Sequence, residues 1–321
     1  MTPARGDLGL VRTRRLVEAS VDIRFRLAPG DRPLVAAGES VVPGSPIAER
    51  LRDARLAEAE LTPSVYVRPG ARTSEGELLF EWRGRWRVAA GDVTEPVETP
   101  VAGIVREVTP GSAIVISASG RAMAGIVALG GPTRGRLHIM AGTDAELRTG
   151  SLDVGLAGTI LVVGSRVDAE TLTRARAMGV RGIIVGGLAS KERRDFQASE
   201  RRQRAALHRL APFAVLVLEG AMRRPLAGAV VTMLRALAGR EVAVVTDPPA
   251  LLFDAGELSL PTPPPDLVRI RGGPLAGRTG TWSGLLGSRR FAGGVHLEAA
   301  AVRFDDGRTL AVPLGDLERF V

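Results

Sequence analysis

Hydrophobic and polar positions follow two regimes along the chain. Between Ala157 and Thr246, uninterrupted apolar runs alternate with helix-spaced segments. The runs are Thr159–Val163, Gly182–Val185, Phe213–Leu218 and Glu241–Val245. Between them, Asp168 is placed to cap a helix reaching about Met178, Ser190 opens a charged helix to about Arg209, and a third helix spans about Pro225 to Leu237. Strands apolar on both faces and alternating with helices predict a parallel sheet covered on both sides. The expectation is a four-strand βαβαβαβ unit over residues 151–255.

From Val21 to Met140 the pattern shortens to small β-runs punctuated by Gly and Pro, which predicts a β-rich module occupying residues 1–150. One helix is expected within it, Pro46 to Glu58, with Pro46 in the first turn and Ile47, Leu51 and Leu56 as its apolar face. Pro261-Thr262-Pro263-Pro264-Pro265 marks residues 256–265 as a stiff linker, because successive prolines favour extended geometry. Residues 266–321 then read as a separate set of short strands. The fold class expected is multidomain α/β plus β.

Composition narrows the function classes. The chain of 321 residues is 45% hydrophobic, enough to bury ordinary cores, but only 4% aromatic, so those cores rest on Val, Leu, Ile and Ala. No apolar run is long enough to cross a bilayer as a helix, and the Arg-studded N-terminus lacks a secretory h-region. With no cysteine there is neither a disulfide framework nor a thiol ligand set. A cytoplasmic protein without membrane attachment is expected. The formal net charge of +8 and pI near 11.1 suit a polyanion partner such as RNA, DNA or a ribonucleoprotein. Lys191 is the sole lysine, however, and so marked a preference for arginine also follows from a GC-rich coding bias. Both readings stay open.

Val268-Arg269-Ile270-Arg271-Gly272-Gly273-Pro274-Leu275-Ala276-Gly277-Arg278-Thr279-Gly280-Thr281-Trp282 resembles the KOW motif: a strand, a Gly-Pro loop, a spaced glycine and a second strand. Gly280 stands where the chain bends or is closely approached. The resemblance implies an SH3-like barrel over roughly the last 55 residues, of the kind found in NusG-type transcription factors and ribosomal proteins. It further implies that Arg269, Arg271, Arg278, Arg289 and Arg290 meet phosphates, while Trp282 or Phe291 stacks on a base. Against this, the module holds eight Arg and six acidic residues, and such barrels also dock proteins. In the β-rich part, residues 37–48 and 99–108 resemble the two half-motifs of lipoyl/biotinyl-like barrel-sandwich hybrids. No lysine precedes residue 190, so a swinging-arm carrier is excluded and an adaptor surface is what the resemblance leaves.

Two further candidates come from the central segment. In parallel sheets ligands bind beyond the carboxyl ends of the strands, which singles out Gly164, Ser165, Gly186, Gly187 and Ser190 as anion-binding loops. Neither a GxGxxG nor a P-loop accompanies them. The helix from Ser190 to Arg209 carries seven cations against three acids, including Lys191, Arg194, Arg201, Arg202 and Arg204, and is the densest positive patch. His138, His208 and His296 show no metal-ligand spacing, and no nucleophile elbow is present. No catalytic residue, metal or cofactor is assigned. The expected function is a non-enzymatic scaffold for nucleic acid, a ribonucleoprotein or a transcription assembly; the alternatives are a protein adaptor without nucleic-acid binding and a small-anion or enzymatic site at the strand ends.

Overall fold

The computed structural model describes residues 5–27, 31–51, 55–58, 78–82, 85–90, 94–140, 146–147, 149–206, 211–254, 256 and 258–321. Among these, β-structure dominates: five sheets and three α-helices. The helices are α1 (Ala169–Ala177), α2 (Ser190–Ala206) and α3 (Gly228–Ala236).

At the centre lies an eight-stranded mixed sheet. Its spatial order is Arg121–Ala124, Pro249–Phe253, Glu241–Thr246, Thr133–Ile139, Thr159–Val162, Gly182–Gly187, Ala214–Gly220, Val127–Gly130. The apolar runs sort by parity, as the period-2 geometry of a strand requires. Leu161, Val163, Ile183, Val185, Val215 and Val217 pack on one face beneath Leu172 of α1 and Phe196 of α2. Ile160, Val162, Ile184, Leu216 and Leu218 pack on the other beneath Val230 and Leu234 of α3. Asp168 caps α1 as expected, its Oδ1 accepting from the Thr171 amide at 2.7 Å.

Two expectations about this unit need correction. The Glu241–Thr246 strand is antiparallel to both its neighbours, and the fourth parallel strand is Thr133–Ile139. An apolar run covered on both faces carries no record of its direction, so the pattern alone cannot separate the two cases. The boundary expected at residue 150 also falls between two strands paired in parallel, Thr133–Ile139 and Thr159–Val162. Strands from residues 121–139 and from residues after 158 therefore share one sheet.

The N-terminal strands form two small sheets over a common core. Val21–Arg26, Ala113–Ala118, Gly103–Thr109 and Ser40–Val41 make one; Arg32–Pro33, Pro46–Leu51 and Thr94–Glu98 make the other. Ile23, Phe25, Ile47, Val105, Ile114 and Ile116 fill the space between, together with Val245 and Leu252 of the central sheet. Where a helix was expected over residues 46–58, the described residues form strands, Pro46–Leu51 and Arg55–Glu58. Pro46–Leu51 lies between two antiparallel partners, and that ladder outweighs a helix propensity worth only tenths of a kcal/mol per residue.

Toward the C-terminus, Leu267–Ile270, Thr279–Arg290, His296–Arg303, Thr309–Pro313 and Leu317–Phe320 form a sheet around Val268, Ile270, Trp282, Val302, Phe304 and Val312. The last strand returns to pair antiparallel with the first. Arg12–Arg14 then adds to that last strand in parallel, so an N-terminal segment completes the C-terminal sheet. A side chain at Gly280 would press on the Arg303 carbonyl oxygen, which accounts for glycine there by close approach. The proline-rich stretch is no free linker. Leu258 and Leu260 pack on the core beneath α3, and Pro261 to Pro264 border a small cleft with Gly228, Ala229 and Thr232 of that helix.

Candidate functional site

At the carboxyl ends of the parallel strands, the loops expected to hold an anion are occupied by the protein itself. The Gly186 amide donates to the Gly164 carbonyl at 2.9 Å, and the Gly187 amide to the Ser165 carbonyl at 3.2 Å. Ser165 is fully buried, and its hydroxyl accepts from Arg223 Nε at 3.3 Å. A methyl at Gly187 would overlap the Met222 carbonyl oxygen, and one at Gly186 the Arg224 carbonyl oxygen. The turn after Gly220 thus lies directly across this edge, and both glycines are there to let it. Ser190 is exposed at the first turn of α2. Gly187→Ala is expected to lower stability by about 1–3 kcal/mol through overpacking. Gly131→Ala, with open space around it, should be nearly neutral; urea unfolding of the two variants checks this.

Beside this edge sits a buried charge cluster joining three parts of the chain. Arg269 and Glu219 are each 3% exposed at the side chain, and Arg269 Nη1 donates to Glu219 Oε2 and, at 3.2 Å, to Glu318 Oε1. Arg14 Nη1 reaches the same Glu219 oxygen at 2.9 Å, while its Nη2 donates to the Leu218 carbonyl at 3.0 Å. Two corrections follow for the residues expected on a nucleic-acid surface. Arg269 is a buried ion paired with Glu219, not an exposed contact on a nucleic-acid surface. Trp282 lies in the C-terminal core at 2% exposure and is unavailable for stacking. Arg271 is half-buried, 3.7 Å from Glu318. Arg278 lies over the Phe304 ring at 4.5 Å and donates to Asp306 at 3.2 Å.

Asp306 in turn accepts from the Arg308 side chain at 2.8 Å and from its amide at 3.1 Å, closing the hairpin turn. Bonds from Arg308, first through its side chain, then its backbone, and from Arg278 hold the carboxyl down at about 2. A depressed acid stabilises the fold above its unfolded-state value, and that contribution is lost as pH falls through the folded one. The turn is therefore expected to loosen between about pH 4 and pH 2. NMR titration should find Asp306 moving back toward an ordinary carboxyl in Arg308→Ala.

Exposed basic side chains collect on two elements. On α2, Phe196 is fully buried, touching Phe213 at 5.9 Å between ring centroids. At 100° per residue, Lys191, Arg194, Arg201 and Arg202 fall on the opposite, outward face. All four are exposed, and none makes an ion pair among the described residues. Two acids of the helix are turned elsewhere: Glu192 accepts from the Ala169 amide at 2.9 Å and Glu200 lies 3.8 Å from buried Arg176. The outward stripe is therefore left un-neutralised except by exposed Asp195. The Arg204 side chain, His208 and Arg209 lie outside the described residues.

The second element is the hairpin of Thr279–Arg290 and His296–Arg303. Its tip presents exposed Arg289 and Arg290 with half-buried Phe291, and Leu297 pairs across from Arg289. Sequence reasoning missed Arg14, Glu219 and Glu318 as partners. They lie 99 to 304 residues apart along the chain; the pairing of Arg12–Arg14 with Leu317–Phe320 sets Arg14 beside Glu318, and the end of Ala214–Gly220 brings Glu219 to both. Among the described residues no group of His, Cys, Asp and Glu is arranged to hold a metal ion. Nor, among those residues, is any helix long and apolar enough to cross a membrane. In comparisons with known proteins, no family model and no curated protein matches this chain.

Proposed function

We propose that the chain is a non-enzymatic binding scaffold that contacts RNA, DNA or a ribonucleoprotein through α2 and the C-terminal hairpin. On this reading the C-terminal sheet is a KOW-type SH3-like barrel. The N-terminal pair of small sheets is a barrel-sandwich hybrid serving as an adaptor surface. The observation that carries the reading is the stripe of Lys191, Arg194, Arg201 and Arg202, exposed and without ion pairs among the described residues. It runs about 17 Å along the helix at 1.5 Å per residue, long enough to meet several successive phosphates. Arg289 and Arg290 at the hairpin tip give a second contact, with Phe291 beside them as a stacking surface.

A gel-shift assay with mixed-sequence single-stranded RNA and duplex DNA tests this. The double variants Arg201→Glu/Arg202→Glu and Arg289→Glu/Arg290→Glu are each expected to weaken binding about tenfold or more at low salt. A second reading, a protein adaptor, is favoured by apolar side chains on the same hairpin: Leu285, Val295 and Leu297 are exposed by 37%, 52% and 42%. Failure of the wild-type chain to shift either nucleic acid at low salt would discard the first reading in favour of this one.

A further inference from the structure

Where the Arg12–Arg14 strand, the end of Ala214–Gly220 and the C-terminal sheet meet, a cleft of about 230 Å³ opens. That is smaller than the roughly 300–1,000 Å³ of sites for drug-sized molecules. Six arginines line it, Arg12, Arg14, Arg15, Arg224, Arg269 and Arg271, against two acidic residues, Glu219 and Glu318. Both carboxylates are engaged with Arg14 and Arg269. Arg12, Arg15 and Arg224 have no ion pair among the described residues, and Arg271 reaches Glu318 only at 3.7 Å. Within the buried cluster, Arg269 Nε finds no acceptor among the described protein atoms, although the residue is only 2% exposed.

So many like charges around so small a volume repel one another, and an added anion relieves that repulsion. Guanidinium forks match the oxygens of phosphate in pairs, which an isolated ammonium does not do. We infer that this cleft binds a phosphate group, supplied either by a small free phosphate or by the phosphodiester backbone of a bound strand. Because its walls come from both the central and the C-terminal sheets, occupation also ties the two together. The site shares no residue with the α2 stripe or the hairpin tip, so it stands or falls separately from the scaffold reading.

Isothermal titration calorimetry on the full chain, with inorganic pyrophosphate and separately with an oligothymidylate lacking terminal phosphates, tests the inference. Arg15→Glu, Arg224→Glu and, as a second exposed position, Arg12→Glu are expected to weaken at least one of the two probes about tenfold. Arg240→Glu, an exposed arginine elsewhere, should change it less than twofold. Thermal melts without ligand confirm that each variant folds. Pyrophosphate binding with this pattern identifies a free phosphate as the source; the same pattern with the oligonucleotide alone identifies a phosphodiester. If neither probe binds, or binding is no more sensitive to the cleft variants than to Arg240→Glu, the inference is overturned. Oligonucleotide binding lost only in Arg201→Glu/Arg202→Glu, with no pyrophosphate binding that the cleft variants weaken, would overturn it while leaving the scaffold reading intact.

Discussion

Arg269→Ala is expected to lower the unfolding free energy by about 3–5 kcal/mol, among the largest effects available from one side chain in this protein. Removing the guanidinium strands Glu219, itself 3% exposed, with Arg14 as its remaining charged partner, and weakens the hold on Glu318. The loss is mainly the penalty for leaving a carboxylate buried and under-compensated, not the intrinsic worth of one ion pair. It also undoes the join between the central and C-terminal sheets, since Arg269 Nη2 donates to the Pro225 carbonyl at 3.3 Å. Urea denaturation followed by tryptophan fluorescence measures the effect, with Trp282 reporting from the C-terminal core. By contrast, Arg278→Ala removes a half-exposed surface contact and should cost within about 1 kcal/mol. Similar losses for the two variants would show that the buried cluster does not carry the join.

Phe196→Ala is expected to cost about 3–5 kcal/mol, and to loosen α2 selectively. Phe196 is the fully buried aromatic of that helix, packed against Phe213 and beneath the Arg176 guanidinium at 5.4 Å. Most of the rest of α2 is polar, so its apolar anchor among the described side chains is this one, supported by Glu192, Ser199, Glu200 and Gln203 reaching α1. Hydrogen exchange should show protection falling in α2 before the 214–220 strand. Uniform loss across the sheet would mean that the helix is held by other contacts. The functional consequence is direct: if the basic stripe must be held in register to meet phosphates, Phe196→Ala weakens binding without removing a charge.

What was legible in the sequence follows from which patterns are local. The runs at 159–163, 182–185 and 213–218 announce buried strands, and Asp168 announces a cap, because each signal lies within a few residues of its effect. The direction of Glu241–Thr246 is not local: it depends on which edge the chain returns to after α3. Pro46–Leu51 misleads because Ile47 and Ala48, both fully buried, fit an apolar helical face as well as a strand enclosed by two partners. For the candidate site, the cations of α2 were readable as the densest positive patch because they lie close together in sequence; that Lys191, Arg194, Arg201 and Arg202 face outward follows from the burial of Phe196. The fate of Arg269 and Trp282 was not readable, since their burial is decided by Glu219 and Glu318 and by the packing of the C-terminal core. Gly186 and Gly187 read as a phosphate-binding turn, yet they are glycines so that the backbone of residues 222–224 can cross them.

Contact between the outward face of α2 and a phosphate backbone can be measured by fluorescence anisotropy with labelled single-stranded RNA across a salt series. Four contacts predict a plot of log affinity against log salt with a slope near −3 or steeper, at about −0.7 per contact on single strands. Arg201→Glu/Arg202→Glu should make that slope shallower by about 1.4. A wild-type chain that fails to bind at low salt, or a slope that this double variant leaves unchanged, would show that α2 does not meet a phosphate backbone.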